Sequence, residues 1–339
     1  MDSDNQTFAE VGHFGGKSQS GKDQLHCLFK ATYLFDAEGN LAQLENQEPV
    51  LLEDTYLGEA GQSTLLEAAD LSLCRPTTEI AVVGAVYPAA GERARGLFRL
   101  SCGAVNLEIA AFGERRWQQR MGLPSLSDPE PFEKVALHYE NAFGGVDQRH
   151  DDPKKQGYEA RNPIGKGFLL AHTKVAFSEV PVPQLEDPKK LLKTPFDKPE
   201  PRCSAFVPPH WEPRVSKAGT YDQNWSETRK PLLPEDFDPR FCNAVPDNQC
   251  FAEFAAGDET IELQGLQPAD LNKGACTLTL PGLQPICEIT YQGKPNVPVP
   301  LQLEKILIRG EARRLVLLWS GIFDEFASFR EIKGTAWRL

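Results

Sequence analysis

Three carboxylates, Glu235, Asp236 and Asp238, lie within four positions of one another, a spacing that could support catalysis. A pair of carboxylates can act as general acid and general base, as in the hydrolysis of glycosidic bonds. The same residues follow Pro234, and acidic residues after a proline are also typical of a helix start. The sequence therefore leaves two interpretations open: a hydrolytic site, or a helix N-terminus anchored by Phe237.

Other arrangements that could support chemistry are weaker. Segment 12–18 resembles a phosphate-binding loop, but that motif needs a glycine where Val11 stands, so we predict a glycine-rich hairpin turn. Segment 147–152 holds Asp147, His150 and two further aspartates that could bind a hard cation, although charged loops usually face water. The six histidines include no i,i+4 pair. We therefore expect no catalytic residue, no cofactor and no metal.

The chain is strongly acidic, with a formal net charge of −12 over 339 residues. Such a surface repels phosphate groups, which argues against nucleic acids and anionic membranes as partners. The eight cysteines include no CxxC pair, so we predict buried, reduced thiols. The acidic, polar N-terminus and the shortness of the longest apolar stretch predict a cytoplasmic protein that does not insert into a membrane.

Alternation of apolar and polar residues predicts several β-strands. In segment 25–35 the odd positions are apolar and the even ones include His26, Lys30 and Thr32, as in a strand with one buried face. A turn at 36–40 predicts a hairpin partner. Further strands are predicted at 80–87, 105–111, 276–280 and 286–291, a hairpin at 301–319, and short helical segments at 234–248 and 322–330.

The middle of the chain differs in composition, with nine prolines in segment 181–213. Proline removes a backbone donor and fixes φ, so this segment suits neither a central strand nor a helix interior. Its aromatic residues favour an extended segment lying over a sheet. We predict a mainly β fold of antiparallel, sandwich-like sheets with long proline- and glycine-rich irregular segments and few short helices. The chain is expected to form one large domain or two lobes, with a β part at 1–125, an irregular middle at 126–250 and β-hairpins at 251–339.

Glycines and prolines stand beside large aromatic residues in clusters between 142 and 240. This combination fixes backbone shape and pins loops to a core, which predicts a rigid binding surface. Trp211, Tyr221 and Trp225 could stack on a sugar or belong to a core or a protein interface. The candidate partner-binding residues are Phe143, Gly144, Gly145, Asp147, Asn162, Pro163, Gly165, Gly167, Phe168, Trp211, Gly219, Thr220, Tyr221, Trp225, Pro234, Asp236, Phe237 and Asp238.

These clusters resemble the type VI secretion effector-adaptor family, a domain of unknown function by its original naming. The resemblance covers about residues 8 to 320 and includes the motifs at 70–71, 75–84, 112–117, 139–147, 162–168, 211–225, 233–241, 257–259 and 280–281. The chain departs from the family pattern at Glu304, where an Asp-Thr pair is expected. No pentapeptide repeats follow, so the chain resembles the stand-alone form.

The resemblance implies a non-enzymatic adaptor that binds a toxic effector and helps to load it onto the valine-glycine-repeat spike of the secretion tube. Its expected partners are therefore an effector protein and the spike protein. The alternative interpretation is a carbohydrate-active or other hydrolytic enzyme that uses Glu235, Asp236 and Asp238. A third is a structural component of the secretion apparatus.

Overall fold

The computed structural model describes residues 2–73, 75–171, 176–267, 276–291, 295–326 and 328–339. Cys74 and His172 lie outside these ranges. The described chain is mainly β, with several antiparallel sheets and a few short helices, which confirms the predicted fold class. None of the helices in these ranges is long and apolar enough to cross a membrane.

A central sheet of six strands joins the two ends of the chain. Its strand order is β2-β3-β24-β23-β7, with β4 paired to β3, and only β7 and β23 run parallel. The predicted hairpins at 25–43 and 301–319 are both confirmed within it. The strands are β2 (Glu10–Lys17), β3 (Asp23–Phe35), β4 (Leu41–Gln43), β7 (Glu79–Val83), β23 (Gln302–Arg309) and β24 (Arg314–Phe323).

Two further sheets pack with the central one. The five-stranded sheet has the order β18-β10-β9-β19-β20, and the four-stranded sheet has the order β1-β25-β21-β22. The strands predicted at 105–111, 276–280 and 286–291 are confirmed here. The strands are β9 (Arg95–Cys102), β10 (Val105–Phe112), β18 (Leu185–Glu186), β19 (Thr260–Gln264) and β20 (Cys276–Thr279), then β1 (Asp2–Asn5), β21 (Ile286–Tyr291), β22 (Val297–Pro300) and β25 (Ile332–Arg338).

Five two-stranded sheets and seven short helical segments complete the described fold. The small sheets pair β5 (Thr55–Tyr56) with β6 (Leu65–Glu67), β8 (Ala85–Val86) with β13 (Val135–Ala136), β11 (Trp117–Arg120) with β12 (Leu123–Leu126), β14 (Phe143–Gly144) with β17 (Lys166–Gly167), and β15 (Val146–Asp147) with β16 (Gly157–Tyr158). The helices are α1 (Gln223–Thr228) and the 3-10 turns Tyr139–Asn141, Pro153–Lys155, Val215–Lys217, Pro239–Cys242, Asp247–Gln249 and Phe329–Glu331.

The main core lies where these three sheets meet. Phe29 of β3, Phe98 of β9 and Ile289 of β21 all belong to one buried cluster, so apolar residues from distant parts of the sequence share it. The prediction that β3 has one buried face was wrong, because its polar face is buried as well. Lys30 and Thr32 are covered by the irregular segments, and the lysine is tolerated because acidic side chains pair with it.

Three local predictions need correction. Segment 12–18 lies mostly within β2, and the hairpin turn follows it between Ser18 and Lys22. Segment 234–248 contains two short 3-10 turns instead of a single helix, and Asp238 caps the first of them. At 322–330, β24 continues to Phe323, and helical structure among the described residues begins at Phe329, in the 3-10 turn Phe329–Glu331. Proline spacing and strand pairing prevent longer helices at these places.

The proline-rich segment is irregular, as predicted, and part of it lies against the central sheet. Its only strand is the two-residue β18 at a sheet edge. The backbone N–H of Val82 in β7 donates to the carbonyl oxygen of Ser204 at 2.9 Å. In return, the Ser204 hydroxyl donates to the carbonyl oxygen of Val82 at 2.7 Å. Phe206 is fully buried beside this strand. The described cysteines are free thiols, most of them buried, in agreement with the prediction.

Candidate partner-binding groove

A cluster of buried charges holds the irregular segments onto the second face of the central sheet. The ammonium groups of Lys30 and Lys305 both donate to the carboxylate of Asp70, and both lie 3.3 Å from Glu67. All four side chains are almost fully buried. Burial acts to raise the pKa of Asp70, but the two lysines outweigh it and hold the pKa below its ordinary value. Asp70 is therefore charged, and through its bond to the Leu51 N–H it fixes the covering loop.

A second ion cluster positions the segment after residue 240. Arg75 donates to Glu304 at 2.8 Å and to the carbonyl oxygen of Cys242 at 3.3 Å. Glu79 accepts a hydrogen bond from the backbone N–H of Ala244 at 2.6 Å. Glu304, the residue that departs from the adaptor pattern, is thus a buried partner of Arg75 and packs into the sheet.

The motifs around Phe143 and Asn162 form one compact unit, here called the glycine bracket. Strands β14 and β17 pair in parallel within it. The buried side-chain amide of Asn162 donates to the carbonyl oxygens of Tyr139 at 2.8 Å and Phe143 at 2.9 Å. The bracket includes Gly144, Gly145, Pro163, Gly165 and Gly167, at backbone positions that are buried or half-buried.

Replacing Gly145 with alanine is expected to lower the free energy of unfolding by about 3 kcal/mol. Gly145 has a φ of +93°, and a Cβ there would collide with the carbonyl oxygen of Gly165. Denaturant unfolding would measure the loss. The matched control is Gly122→Ala, because Gly122 has a φ of +80° and no atom within 4 Å of its Cβ position. We expect that control to cost about 1 kcal/mol, and equal losses would contradict the close approach.

Buried aromatic residues brace the bracket from inside. The rings of Phe143 and Phe168 meet edge to face at 6.5 Å, and those of Tyr139 and Trp211 at 5.5 Å. Phe143, Phe168 and Trp211 are almost completely buried. They therefore support the surrounding loops and are not available to stack on a ligand.

The aspartates predicted as alternative cation ligands are engaged in loop structure. Asp147 accepts two hydrogen bonds of 2.8 Å from the Arg149 guanidinium and one from the Leu170 N–H. Burial acts to raise the pKa of Asp147, but the Arg149 hydrogen bond and the backbone donors outweigh it and lower the pKa to about 2. Asp152 caps a 3-10 turn. Within the described ranges, no group of three or more His, Cys, Asp or Glu residues is arranged to hold a metal ion.

The motifs around Gly219 and Asp236 form a second unit, here called the latch. The backbone N–H and the hydroxyl of Thr220 donate to the Asp236 carboxylate at 2.9 and 2.7 Å. The Trp225 indole N–H donates to the carbonyl oxygen of Leu232 at 2.8 Å. A Cβ at Gly219 would press on Pro234. These contacts tie the two loops together and leave Tyr221 on the surface, 53% exposed.

The three candidate catalytic carboxylates have separate environments and do not form a general acid–base pair. Asp236 accepts hydrogen bonds from the backbone N–H and the hydroxyl of Thr220, and these bonds lower the pKa of the Asp236 carboxyl group. Asp238 pairs with Arg240, whose hydrogen bonds lower the pKa of the carboxyl group. The Glu235 side chain is 87% exposed. A general acid needs a raised pKa, so both shifts run opposite to that requirement.

An open apolar groove lies between the latch and the segment that follows Asp70. One part is a cavity of about 230 Å³ whose walls include Leu71, Tyr221 and Phe237. The second part, of about 500 Å³, runs past β2 and includes Phe329. Both parts share two wall residues, Leu73 and Leu233. We call the two parts together the apolar groove.

The groove walls include a cluster of partly exposed apolar side chains. Leu71 and Leu73 are 38% and 37% exposed and stand opposite Tyr221. Clustered apolar surface of this kind is typical of ligand or protein binding sites. Asp54, Arg75 and Arg214 also line this cavity, and Arg75 is paired with Glu79 and Glu304. The cavity therefore combines apolar walls with a few charged side chains.

Residues 20–320 match a bacterial protein family described as uncharacterized protein conserved in bacteria (DUF2169). This chain belongs to the DUF2169 family. No curated protein and no solved structure matches the chain. The matched range includes all lining residues of the 230 Å³ cavity in this DUF2169 protein, whereas Phe329 and the β2 residues of the second part of the groove lie outside it. The family assignment itself does not extend to type VI secretion adaptors.

The structure places most of the predicted binding residues of this DUF2169 protein in three groups. The bracket residues and Trp211 are internal braces, whereas Tyr221 and Phe237 line the groove and Thr220, Trp225, Pro234 and Asp236 line a depression behind the latch. Sequence reasoning missed Leu73 and did not single out Leu71, Leu233 or Arg214. Leu71 and Leu73, separated by one residue, have the spacing of apolar residues in any half-buried strand. Only their exposure in the folded protein identifies them as part of a binding surface.

Proposed function

We propose that this DUF2169 protein is a non-enzymatic adaptor that binds another protein through the apolar groove. Following the resemblance of its motifs, the partner is a type VI secretion effector, which the adaptor helps to load onto the valine-glycine-repeat spike. The observation that carries the proposal is the exposed apolar wall formed by Leu71, Leu73 and Tyr221. Leu71 and Tyr221 belong to motifs that carry the resemblance, and Leu73 lies between two of those motifs.

The rigidity of the groove supports a binding role. Asp70 and Arg75, which flank the leucine wall, are held in the two buried ion clusters. The opposite wall is held by the bond between Thr220 and Asp236. A surface that is ordered before binding loses little conformational entropy when the partner docks, so more of the contact energy appears as affinity. The acidic net charge further favours a partner with basic surfaces through faster encounter.

Co-expression with each candidate effector encoded beside its gene tests the proposal. We expect one effector to co-elute from size exclusion with this protein in a fixed ratio, and the complex to bind the spike protein. If none of the neighbouring effectors forms such a complex, the adaptor function is wrong.

Asp236→Asn separates the adaptor from a hydrolytic enzyme. Because Asp236 holds Thr220 and shapes one groove wall, we expect the variant to weaken the effector complex. Isothermal titration against the co-eluting effector would measure this. An enzyme would instead show turnover of a glycoside substrate that the variant abolishes while the complex stays intact, and that result would contradict the proposal.

A further inference from the structure

Arg214 is a half-buried cation that has no carboxylate partner among the described residues. Its Nε donates to the carbonyl oxygen of Phe241 at 2.9 Å, and its Nη1 to that of Val207 at 2.7 Å. Its Nη2 makes no hydrogen bond within the described ranges. The neighbouring Arg75 differs, because it is paired with Glu79 and Glu304. The Arg214 guanidinium also lies over the Phe241 ring, 5.2 Å from its centroid, but it has no counter-ion among the described residues. Partial removal of a guanidinium from water without a counter-ion is unfavourable, and a carboxylate is its best-matched partner.

The electrostatic environment of Arg214 would favour a bound anion. Burial lowers the pKa of Arg214, and the nearby charge of Arg75 lowers it further, against the opposite effects of Glu79 and Asp54. These two acids act on it at a distance, since neither forms an ion pair with it. A carboxylate bound at Arg214 would offset this loss of hydration.

Asp54 supplies an unused acceptor in the same cavity. Its Oδ1 accepts the backbone N–H of Ala69 at 2.9 Å, and its Oδ2 has no hydrogen bond to a described residue. The cavity thus offers one free donor group, one free acceptor and apolar walls. A terminal amino-acid residue carries the complementary set, namely a carboxylate, an amide N–H and a side chain.

We propose that the cavity binds the carboxyl-terminal residue of the partner protein, with an apolar side chain against Leu71 and Tyr221 and the free carboxylate on Arg214. This inference rests on the proposed function and names the part of the partner that the groove recognises. At about 230 Å³ the cavity is smaller than a typical pocket for a drug-sized ligand, which suits a single residue. The second part of the groove continues from it past Leu73 and gives the preceding residues a path.

Short peptides test the proposal on the intact protein. The probes are acetyl-Gly-Ser-Gly-Ser-X peptides, where X is Leu, Phe or Trp, each prepared as the free acid and as the amide. Isothermal titration is expected to show binding of at least one free acid, and amidation should weaken it by about tenfold or more. Arg214→Gln should weaken the free acid by a similar factor and should make amidation nearly neutral, since both changes remove one interaction.

Arg202→Gln is the matched control variant. Arg202 is also half-buried, donates to a carbonyl oxygen at 3.0 Å and forms no ion pair with a described residue, but it lies on the five-stranded sheet. We expect Arg202→Gln to bind the free acid as the unchanged protein does. If Arg214→Gln fails to fold, the comparison of acid with amide on the unchanged protein still decides the question.

Two results would overturn the inference. One is equal affinity of acid and amide, and the other is no binding of any probe up to about 1 mM. A separate arm adds a Gly-Ser tail to the carboxyl end of the co-eluting effector. If the tailed effector still binds with unchanged affinity, the end-recognition inference fails while the adaptor function stands; if no effector co-elutes at all, the adaptor function fails.

Discussion

Replacing Asp70 with asparagine is expected to lower the free energy of unfolding by about 3 to 5 kcal/mol. Asp70 is fully buried and accepts hydrogen bonds from Lys30 and Lys305, so the variant leaves two buried ammonium groups that share only Glu67. Asparagine nearly preserves the shape of the side chain, so the loss comes from charge and not from a cavity. Urea denaturation followed by tryptophan fluorescence would measure it.

The pH dependence of this effect has a defined sign. The folded-state pKa values of Asp70 and Glu67 lie below their ordinary values of 3.8 and 4.5, because the lysines outweigh burial. Their stabilisation is therefore complete above those ordinary values and is lost as the pH falls through the lowered folded values. The gap in stability between the unchanged protein and Asp70→Asn should narrow in acid. A gap that is constant from pH 7 down to about pH 3 would contradict the ionic explanation.

Asp23→Asn is the control for burial. Asp23 also pairs with a lysine, Lys17 at 2.6 Å, but the Lys17 and Asp23 side chains are 53% and 30% exposed to solvent. Exposed ion pairs contribute about 0 to 1 kcal/mol, since water screens them. If Asp23→Asn and Asp70→Asn lower the free energy of unfolding equally, burial does not explain the large contribution of the Asp70 cluster.

Removing the Tyr221 side chain is expected to weaken the effector complex by about thirtyfold or more. Tyr221 is a large, half-exposed aromatic residue at the groove wall, braced edge to face by Trp225 at 4.7 Å. Aromatic residues of this kind commonly contribute 2 kcal/mol or more to protein interfaces, and each 1.4 kcal/mol is a factor of ten in affinity. Leu73→Asp should have a similar effect, because it places a charge on the apolar wall. Titration of the purified effector into each variant would measure the dissociation constants.

Met121→Asp and Leu123→Asp are the controls for these variants. Both side chains are exposed apolar residues on the β11–β12 hairpin and lie outside the groove. We expect their complexes to match that of the unchanged protein. Circular dichroism and thermal melts should show that all four variants keep the fold. Equal affinities for the groove variants and the hairpin variants would show that the effector binds elsewhere.

The two sets of predictions are physically linked. Asp70 immediately precedes Leu71, so the buried charges that stabilise the fold also hold one wall of the groove in place. Asp70→Asn is therefore expected to weaken effector binding as well as stability. That effect should diminish under conditions where the variant is fully folded, because Asp70 itself makes no contact with the groove surface.

The sequence by itself determined several of the longer strands. Alternation along β3 and β21 and the β23–β24 hairpin predicted these elements because side chains alternate between the two faces of a strand. Proline density correctly predicted an irregular segment at 181–213, because proline removes a ladder donor whatever its neighbours are. These are local rules, and they need no knowledge of what lies opposite in space.

The tertiary structure alone decided which faces are buried and where a site lies. Lys30 appeared to lie on an open face, but Glu67, Asp70 and Lys305, up to 275 positions away, enclose it. The spacing of Glu235, Asp236 and Asp238 left a hydrolytic site and a helix start both open, and the fold gives each carboxylate a different environment. Leu73 and Tyr221 line the same cavity, and their separation in the sequence gives no indication that they do. Burial, ion pairing and exposure depend on contacts between distant segments, and for that reason they could be read only from the fold.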